Sequence, residues 1–171
     1  MKRYKKISAV LIAAVILVSG CGAANNVQPE ITERQETEIS EELTAISCGE
    51  AAAAALDTDA QLPPVTLVSD SDMLSEVMGY DMSTAEDQCV YTQLVSAHLF
   101  ELAVIRPLPG SEQQVRDMLA QRQRYLKEQA AFYPAQVEAA DASVVGEKDG
   151  YYYLICDKNS AEIEEKLKSV I

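Results

Sequence analysis

The alternation of apolar and polar positions divides the chain into three parts. Residues 7–18 are apolar with only Ser8 interrupting them, whereas residues 22–38 are polar and show no sustained apolar period. From residue 39 onward, apolar positions recur with the spacings that are typical of helices and strands. The pattern therefore predicts one folded domain over residues 39–171, preceded by a polar tether.

Within this domain the spacing predicts two β-hairpins separated by a long helix. Runs of β-branched and aromatic residues predict the strands: 88–95 with 99–105, and 143–147 with 151–156. Helical spacing predicts the helices: from about residue 40 to 56, at 73–78, over 111–131, at 135–140 and from 159 to the last residue. We expect an α+β fold, with an antiparallel four-stranded sheet built from the two hairpins and helices packed on one face.

The N-terminal segment has the composition of a secretory signal. Residues 1–6 carry four basic residues and no acidic one, and the apolar run that follows is 12 residues long. As a helix this run would rise about 18 Å, whereas a bilayer core of about 30 Å needs about 20 apolar residues. We therefore predict that residues 1–20 are a removed signal peptide, with a true transmembrane anchor as the alternative.

A lipobox-like sequence follows the apolar run: Val18-Ser19-Gly20-Cys21. It resembles the cleavage site of bacterial lipoproteins, which implies cleavage between Gly20 and Cys21 and acylation of the Cys21 thiol. The alternative is a chance cysteine after a signal. Because two acyl chains hold a protein stably on a bilayer, we expect a lipid-anchored domain at the extracytoplasmic face of a bacterial cell membrane. Residues 21–38 would form the lipidated cysteine and a flexible acidic tether.

The charge balance argues against nucleic acid as a partner. The chain has 14 basic and 27 acidic residues, and removal of residues 1–20 would change the formal charge from −13 to −17. Phosphate binding depends on Lys and Arg, and anionic headgroups would repel so acidic a surface. The lipid on Cys21, rather than the protein surface, is therefore expected to bind the membrane.

The remaining cysteines and the single histidine form no catalytic motif. Cys48, Cys89 and Cys156 lack the C-x-x-C spacing of redox and zinc sites. A disulfide between Cys89 and Cys156 is possible if their strands are neighbours; otherwise both are small buried apolar residues. His98 lies near a predicted turn without a nucleophile motif. We therefore expect no catalytic residue.

Two acidic pairs resemble the start of a calcium loop: Asp57-x-Asp59 and Asp70-x-Asp72. An EF-hand loop also requires Gly at its sixth position and Glu at its twelfth. Neither pair is followed by these residues at those positions. We expect no metal ligands and no cofactor, although weak cation binding by the acidic surface is an alternative.

Two further patterns allow either a contact surface or ordinary packing. Arg116, Gln123 and Lys127 share one face of the long predicted helix, which is either a basic stripe for an acidic partner or a solvated face. The run from Tyr151 to Tyr153 alternates across a predicted strand. Its outward tyrosines would form a contact surface, unless they pack within the protein.

Several short sequences resemble one uncharacterised family of bacterial lipoproteins, catalogued as domain of unknown function 4358. They are Met78-Gly79-Tyr80-Asp81, the paired strands of residues 90–105, the helix end at residues 129–134, and Gly150-Tyr151-Tyr152. The resemblance extends roughly from Leu67 to Val170. It implies a secreted, anchored domain and brings no activity with it.

These patterns favour binding over catalysis. We expect a lipid-anchored module that contacts a protein, a peptide or a component of the cell envelope. The alternative is a small-molecule-binding accessory lipoprotein of a transporter. An enzyme would need a site assembled from residues that no motif reveals, so we expect no enzymatic activity.

Overall fold

The computed structural model describes residues 45–171. Five antiparallel strands form one sheet in the order β1-β2-β3-β5-β4. The strands are β1 (Val65–Leu67), β2 (Ala85–Gln93), β3 (Glu101–Pro107), β4 (Val144–Lys148) and β5 (Tyr151–Cys156). The helices are α1 (Cys48–Leu56), α2 (Glu112–Tyr125), α3 (Pro134–Asp141) and α4 (Ser160–Val170). The α+β class is confirmed, but the sheet has five strands rather than the predicted four.

β1 is the strand that the sequence pattern did not predict. Its three residues follow Pro63-Pro64 and pair antiparallel with β2, with Thr66 opposite Thr92. Three residues are too few to display the alternation that identifies a strand. Only the pairing with β2 makes this segment part of the sheet.

Helices cover both faces of the sheet, so the expectation of helices on one face is wrong. In β3, Leu102 and Val104 pack on one side with α1 and α4, whereas Ala103 and Ile105 pack on the other side with α2 and α3. Side chains of successive strand residues point to opposite faces. A strand that is apolar at nearly every position must therefore be covered on both faces of the sheet.

Because helices cover both faces of the sheet, the tyrosines of β5 and the cysteines on the strands are buried. All three tyrosines from Tyr151 to Tyr153 are buried, so they offer no contact surface. Cys89 lies on the face of α1 and α4, and Cys156 on the opposite face. Because β3 separates their strands, their Cα atoms are at least about 9 Å apart, beyond the reach of a disulfide. Both thiols are free and buried, as is that of Cys48.

The helix ends match the sequence pattern only in part. Ser47 and Glu50 form a capping box at the start of α1. Ser111 makes no side-chain cap bond at the start of α2, and the Glu112 carboxylate instead accepts from the backbone N–H of Gly110. The long predicted helix ends as an α-helix at Tyr125 and continues as a π-helical turn over Leu126–Ala130. Among the described residues, no helix is long and apolar enough to cross a bilayer.

The β4–β5 hairpin depends on a glycine that a tyrosine ring covers. Gly146 lies directly opposite Tyr153. A Cβ atom added at Gly146 would lie 2.3 Å from the hydroxyl oxygen of Tyr153, whose ring is fully buried. The ring therefore occupies the space above Gly146 that a side chain would need.

We predict that Gly146→Ala destabilises the protein by about 1–3 kcal/mol, because the added methyl group forces the buried Tyr153 ring to move. Urea unfolding followed by circular dichroism measures this change. Gly49→Ala in α1 is the matched control, since the new Cβ meets its nearest atom at 3.9 Å. Equal stability of the Gly146 variant and the parent would contradict the packing that we describe.

Candidate functional site

Exposed aromatic side chains gather around one cavity. Phe132, Tyr133 and Tyr125 are 79%, 64% and 48% exposed, whereas the other large apolar rings of the described chain are buried or half-buried. All three line a cavity of about 430 Å³ between the end of α2, the start of α3 and the β2–β3 connection. Exposed rings concentrated at a concave surface are typical of an interaction site.

A second cavity of about 450 Å³ adjoins the first at the β1 end of the sheet. Val77, Thr92 and Arg122 line both cavities, Met73 adds to the apolar wall of the second, and Thr66 and Leu67 of β1 line its edge. Six of the ten most exposed large apolar side chains among residues 45–171 line one cavity or the other. We call these two adjoining cavities the apolar groove.

The floor of the groove holds a buried ion pair. Glu101 in β3 is only 1% exposed. The Nε and Nη2 atoms of Arg122 donate to its two carboxylate oxygens at 2.9 and 2.7 Å. The hydroxyl of Tyr80, which is fully buried, donates to the same carboxylate at 2.6 Å. The guanidinium of Arg122 also lies 5.1 Å from the ring centre of Tyr125, which places a cation beneath one aromatic wall.

The environment of the ion pair raises the pKa of Tyr80 and of Arg122. Burial raises the pKa of the Tyr80 phenol well above its usual value, and the charge of Glu101 raises it further. Burial alone would lower the pKa of Arg122, but its hydrogen bonds to Glu101 and the charge of that carboxylate raise it overall. Neither Tyr80 nor Arg122 therefore loses its proton near neutral pH, and their hydrogen bonds to Glu101 form a fixed floor.

Two glutamines fix the walls of the groove. The side-chain oxygen of Gln136 accepts from the backbone N–H groups of Phe132 and Tyr133, and its amide donates to the carbonyl of Ser96. Gln93 accepts from the backbone N–H of Phe100 across the β2–β3 connection. These bonds hold the aromatic wall and the opposite loop at a set separation.

A π-helical turn borders each cavity. Met73–Val77 forms one beside the second cavity, and Leu126–Ala130 forms the other beside the first. Gly79, with a φ of +78°, lies just after the first of these segments. π-Helical turns occur mostly as single insertions and often at functional sites, which agrees with the position of the groove.

The residues that the sequence analysis singled out for chemistry do not form one metal-binding cluster within residues 45–171. Gly20 and Cys21 lie outside the described residues. Asp57 and Asp59 line a cavity of about 520 Å³ beside α4, together with Glu162 and Glu165. No group of three or more His, Cys, Asp or Glu side chains within residues 45–171 is arranged to hold a metal ion. His98 is exposed and lines the rim of the apolar groove.

The three described thiols have low reactivity at neutral pH. Burial raises the pKa of Cys48 and of Cys156 to about 12, and that of Cys89 to about 11. The nucleophilic form of cysteine is the thiolate, which is scarce at neutral pH when the pKa is raised. These thiols therefore serve as buried apolar groups.

Two of the three residues of the basic stripe predicted on the long helix bond to other residues of the protein. Arg116 pairs with Glu147 and lies 5.2 Å from the ring centre of Tyr152. Gln123 donates to the carbonyl of Ser143 at 2.8 Å. Of the three stripe residues, only Lys127 is exposed without such a bond among the described residues.

Two local features of the sequence are weak signals for the groove. Phe132-Tyr133-Pro134 places two rings just before a helix that begins with proline, where the helix cannot bury them along its own face. Glu101 interrupts an otherwise apolar strand, which indicates a buried charge that needs a partner. Neither signal identifies Arg122 as that partner, because the two residues meet only when α2 packs on the sheet.

We predict that Arg122→Met destabilises the protein by about 3–5 kcal/mol, because it leaves the Glu101 carboxylate buried without its cation. The double variant Glu101→Gln with Arg122→Met removes both charges and keeps an acceptor for Tyr80. It should be more stable than Arg122→Met alone. Urea unfolding of the two single variants and the double variant measures the coupling, and strictly additive effects would contradict an energetic link between Glu101 and Arg122.

Comparison with known proteins gives one match. The family described as "Domain of unknown function (DUF4358)" matches residues 59–157, which is more than half of the chain and includes β1 to β5 and the residues of the apolar groove. No curated protein and no solved structure matches the chain. The match agrees with the resemblance seen in the short sequences around Gly79 and Gly150. The chain therefore belongs to the DUF4358 family.

Proposed function

We propose that this protein is a lipid-anchored binding module at the extracytoplasmic face of a bacterial membrane, and that it acts by contact rather than by catalysis. The apolar groove is the observation that carries the proposal. It gathers exposed aromatic and aliphatic side chains around a rigid floor, and apolar surface of this kind is stabilised when a partner covers it. The lipobox-like sequence ending at Cys21 supports the proposed location.

The geometry favours a macromolecular contact over a small ligand. Each cavity has a volume in the range of ligand pockets, about 300–1,000 Å³. A small ligand, however, needs convergent polar groups that fix its orientation. Around the groove, the side chains of Glu101, Arg122, Gln93 and Gln136 already bond to other groups of the protein. What remains accessible is mainly apolar, which suits a partner that covers the whole face.

The anchor is tested by Cys21→Ala. We expect the parent chain to sediment with membranes and the variant to be lost from them, because the thiol is the attachment point for the lipid. Thiol counting after denaturation gives an independent readout. The parent should show three reactive thiols, since acylation would block Cys21, whereas a precursor that keeps Cys21 free would show four. Membrane association that survives in the variant would refute the proposed anchor.

The contact surface is tested with a photo-crosslinking amino acid. Placed at Phe132 in cells, it should give a discrete crosslinked product, because this side chain is largely exposed at the groove. The same amino acid at Leu108, which is 40% exposed on the β3–α2 connection, is the matched control and should give none. Val77→Asp should abolish the product from Phe132. Equal products from both positions would contradict a dedicated surface.

A further inference from the structure

Within residues 45–171, the backbone groups on the outer edge of β1 have no hydrogen-bond partner. The N–H of Val68 donates to the carbonyl of Val90, and the N–H of Leu94 donates to the carbonyl of Pro64, both at 2.8 Å. Residues of an antiparallel strand alternate in the direction of their hydrogen bonds. The N–H and C=O groups of Val65 and Leu67 therefore face away from β2 and point out of the sheet.

The two edges of the sheet differ in how they are protected. Edge strands usually carry charges that discourage pairing with another chain. β4 fits this pattern, because it ends in Glu147 and Lys148. β1 has the sequence Val-Thr-Leu without a charge, and Leu67 is 50% exposed. β1 is therefore the edge that is open to an added strand.

The open edge is continuous with the apolar groove. Thr66 and Leu67 line the second cavity together with Met73 and Val77. An extended chain that pairs with β1 would place alternate side chains toward this apolar wall. Neither a sugar nor a helix offers the row of backbone donors and acceptors that the β1 edge requires, so the geometry favours an extended polypeptide.

Charge beside the groove indicates the chemistry of that polypeptide. Asp70 lines the second cavity, and Asp72 and Glu76 are exposed on the adjoining π-helical segment. No ion pair within residues 45–171 involves these three carboxylates. A second copy pairing through β1 would bring the same carboxylates together, and like charges across an interface are unfavourable. A segment with basic residues would be attracted.

We propose that β1 accepts an extended segment of another polypeptide as a sixth strand, with apolar side chains against the groove and basic side chains beside Asp70, Asp72 and Glu76. This inference rests on the proposed function and specifies the partner of the same surface. It corresponds to recognition by strand addition, in which backbone bonds supply affinity and side-chain pockets supply selectivity.

The probe is a fluorescein-labelled peptide of seven residues in which Lys and Val alternate, added to the full chain purified in detergent. We expect fluorescence anisotropy to show saturable binding. A peptide in which Glu replaces Lys should bind about tenfold more weakly or not at all, because it meets the acidic rim. A Lys–Val peptide with methylated backbone nitrogens, which cannot complete the ladder, should also lose binding.

Leu67→Pro is the decisive variant. It removes the outward N–H and places a ring at the edge, while the bonds of β1 to β2 use other residues. Thr66 is already extended, as a residue before proline must be. We expect Leu67→Pro to weaken binding at least about tenfold, because a ladder bond is lost and the incoming strand is obstructed. Leu67→Ala keeps the N–H and should weaken binding less. Unfolding curves confirm that each variant is folded.

The outcomes separate this inference from the proposed function. Equal binding to Leu67→Pro and the parent, or no binding of the Lys–Val peptide to the parent, overturns strand addition. If the crosslink from Phe132 persists in that case, the binding module stands and only its partner class is wrong. If the crosslink is absent as well, both proposals fail. A dimer in solution that Leu67→Pro converts to a monomer would also overturn the inference, because the occupant would then be a second copy.

Discussion

Burial of the central strands on both faces is the constraint on which the rest of the fold depends. β3 and β5 are apolar at nearly every position, so their exposure on either side would cost hydrophobic free energy. Two layers of helices meet this requirement, α1 with α4 on one side and α2 with α3 on the other. The same arrangement explains why the three consecutive tyrosines of β5 are all buried. It also explains why Cys89 and Cys156 lie on opposite faces of the sheet.

The buried Glu101 links the double coverage of the central strands to the candidate site. A buried carboxylate at the start of a doubly covered strand must be paired, and Arg122 supplies the pair from α2 while Tyr80 supplies a further donor. A buried ion pair contributes little net stability compared with apolar packing, because desolvation offsets much of the attraction. Its effect here is positional, since it fixes the end of α2 over the sheet and so sets the floor and one aromatic wall of the groove.

Under the proposed strand addition, the groove and the β1 edge form one surface with two kinds of recognition. An incoming extended backbone would satisfy the outward groups of β1 in place of water, whereas the aromatic and aliphatic wall would favour apolar side chains. The acidic residues beside it would add selection by charge, because they would attract a basic segment and disfavour self-pairing. An acidic domain with one uncovered apolar face is consistent with a module whose partner is a different polypeptide.

The sequence by itself determined the elements with strong local periodicity, the two hairpins and most helices, because their hydrophobic spacing and turn residues act over few positions. Asp149-Gly150, both with positive φ, is such a turn. It also determined the family resemblance and the lipobox-like sequence at Cys21. Tertiary structure decided what depends on contacts between distant residues. β1 is too short for a sequence pattern to identify it as a strand, and only its pairing with β2 does so. The ion partner of Glu101 lies 21 positions away on a helix. The second layer of helices depends on how the two faces of β3 are covered. The groove exists only where Tyr125, Phe132 and Val77 come together, and no local pattern along a chain encodes which side chains remain uncovered once its elements have packed.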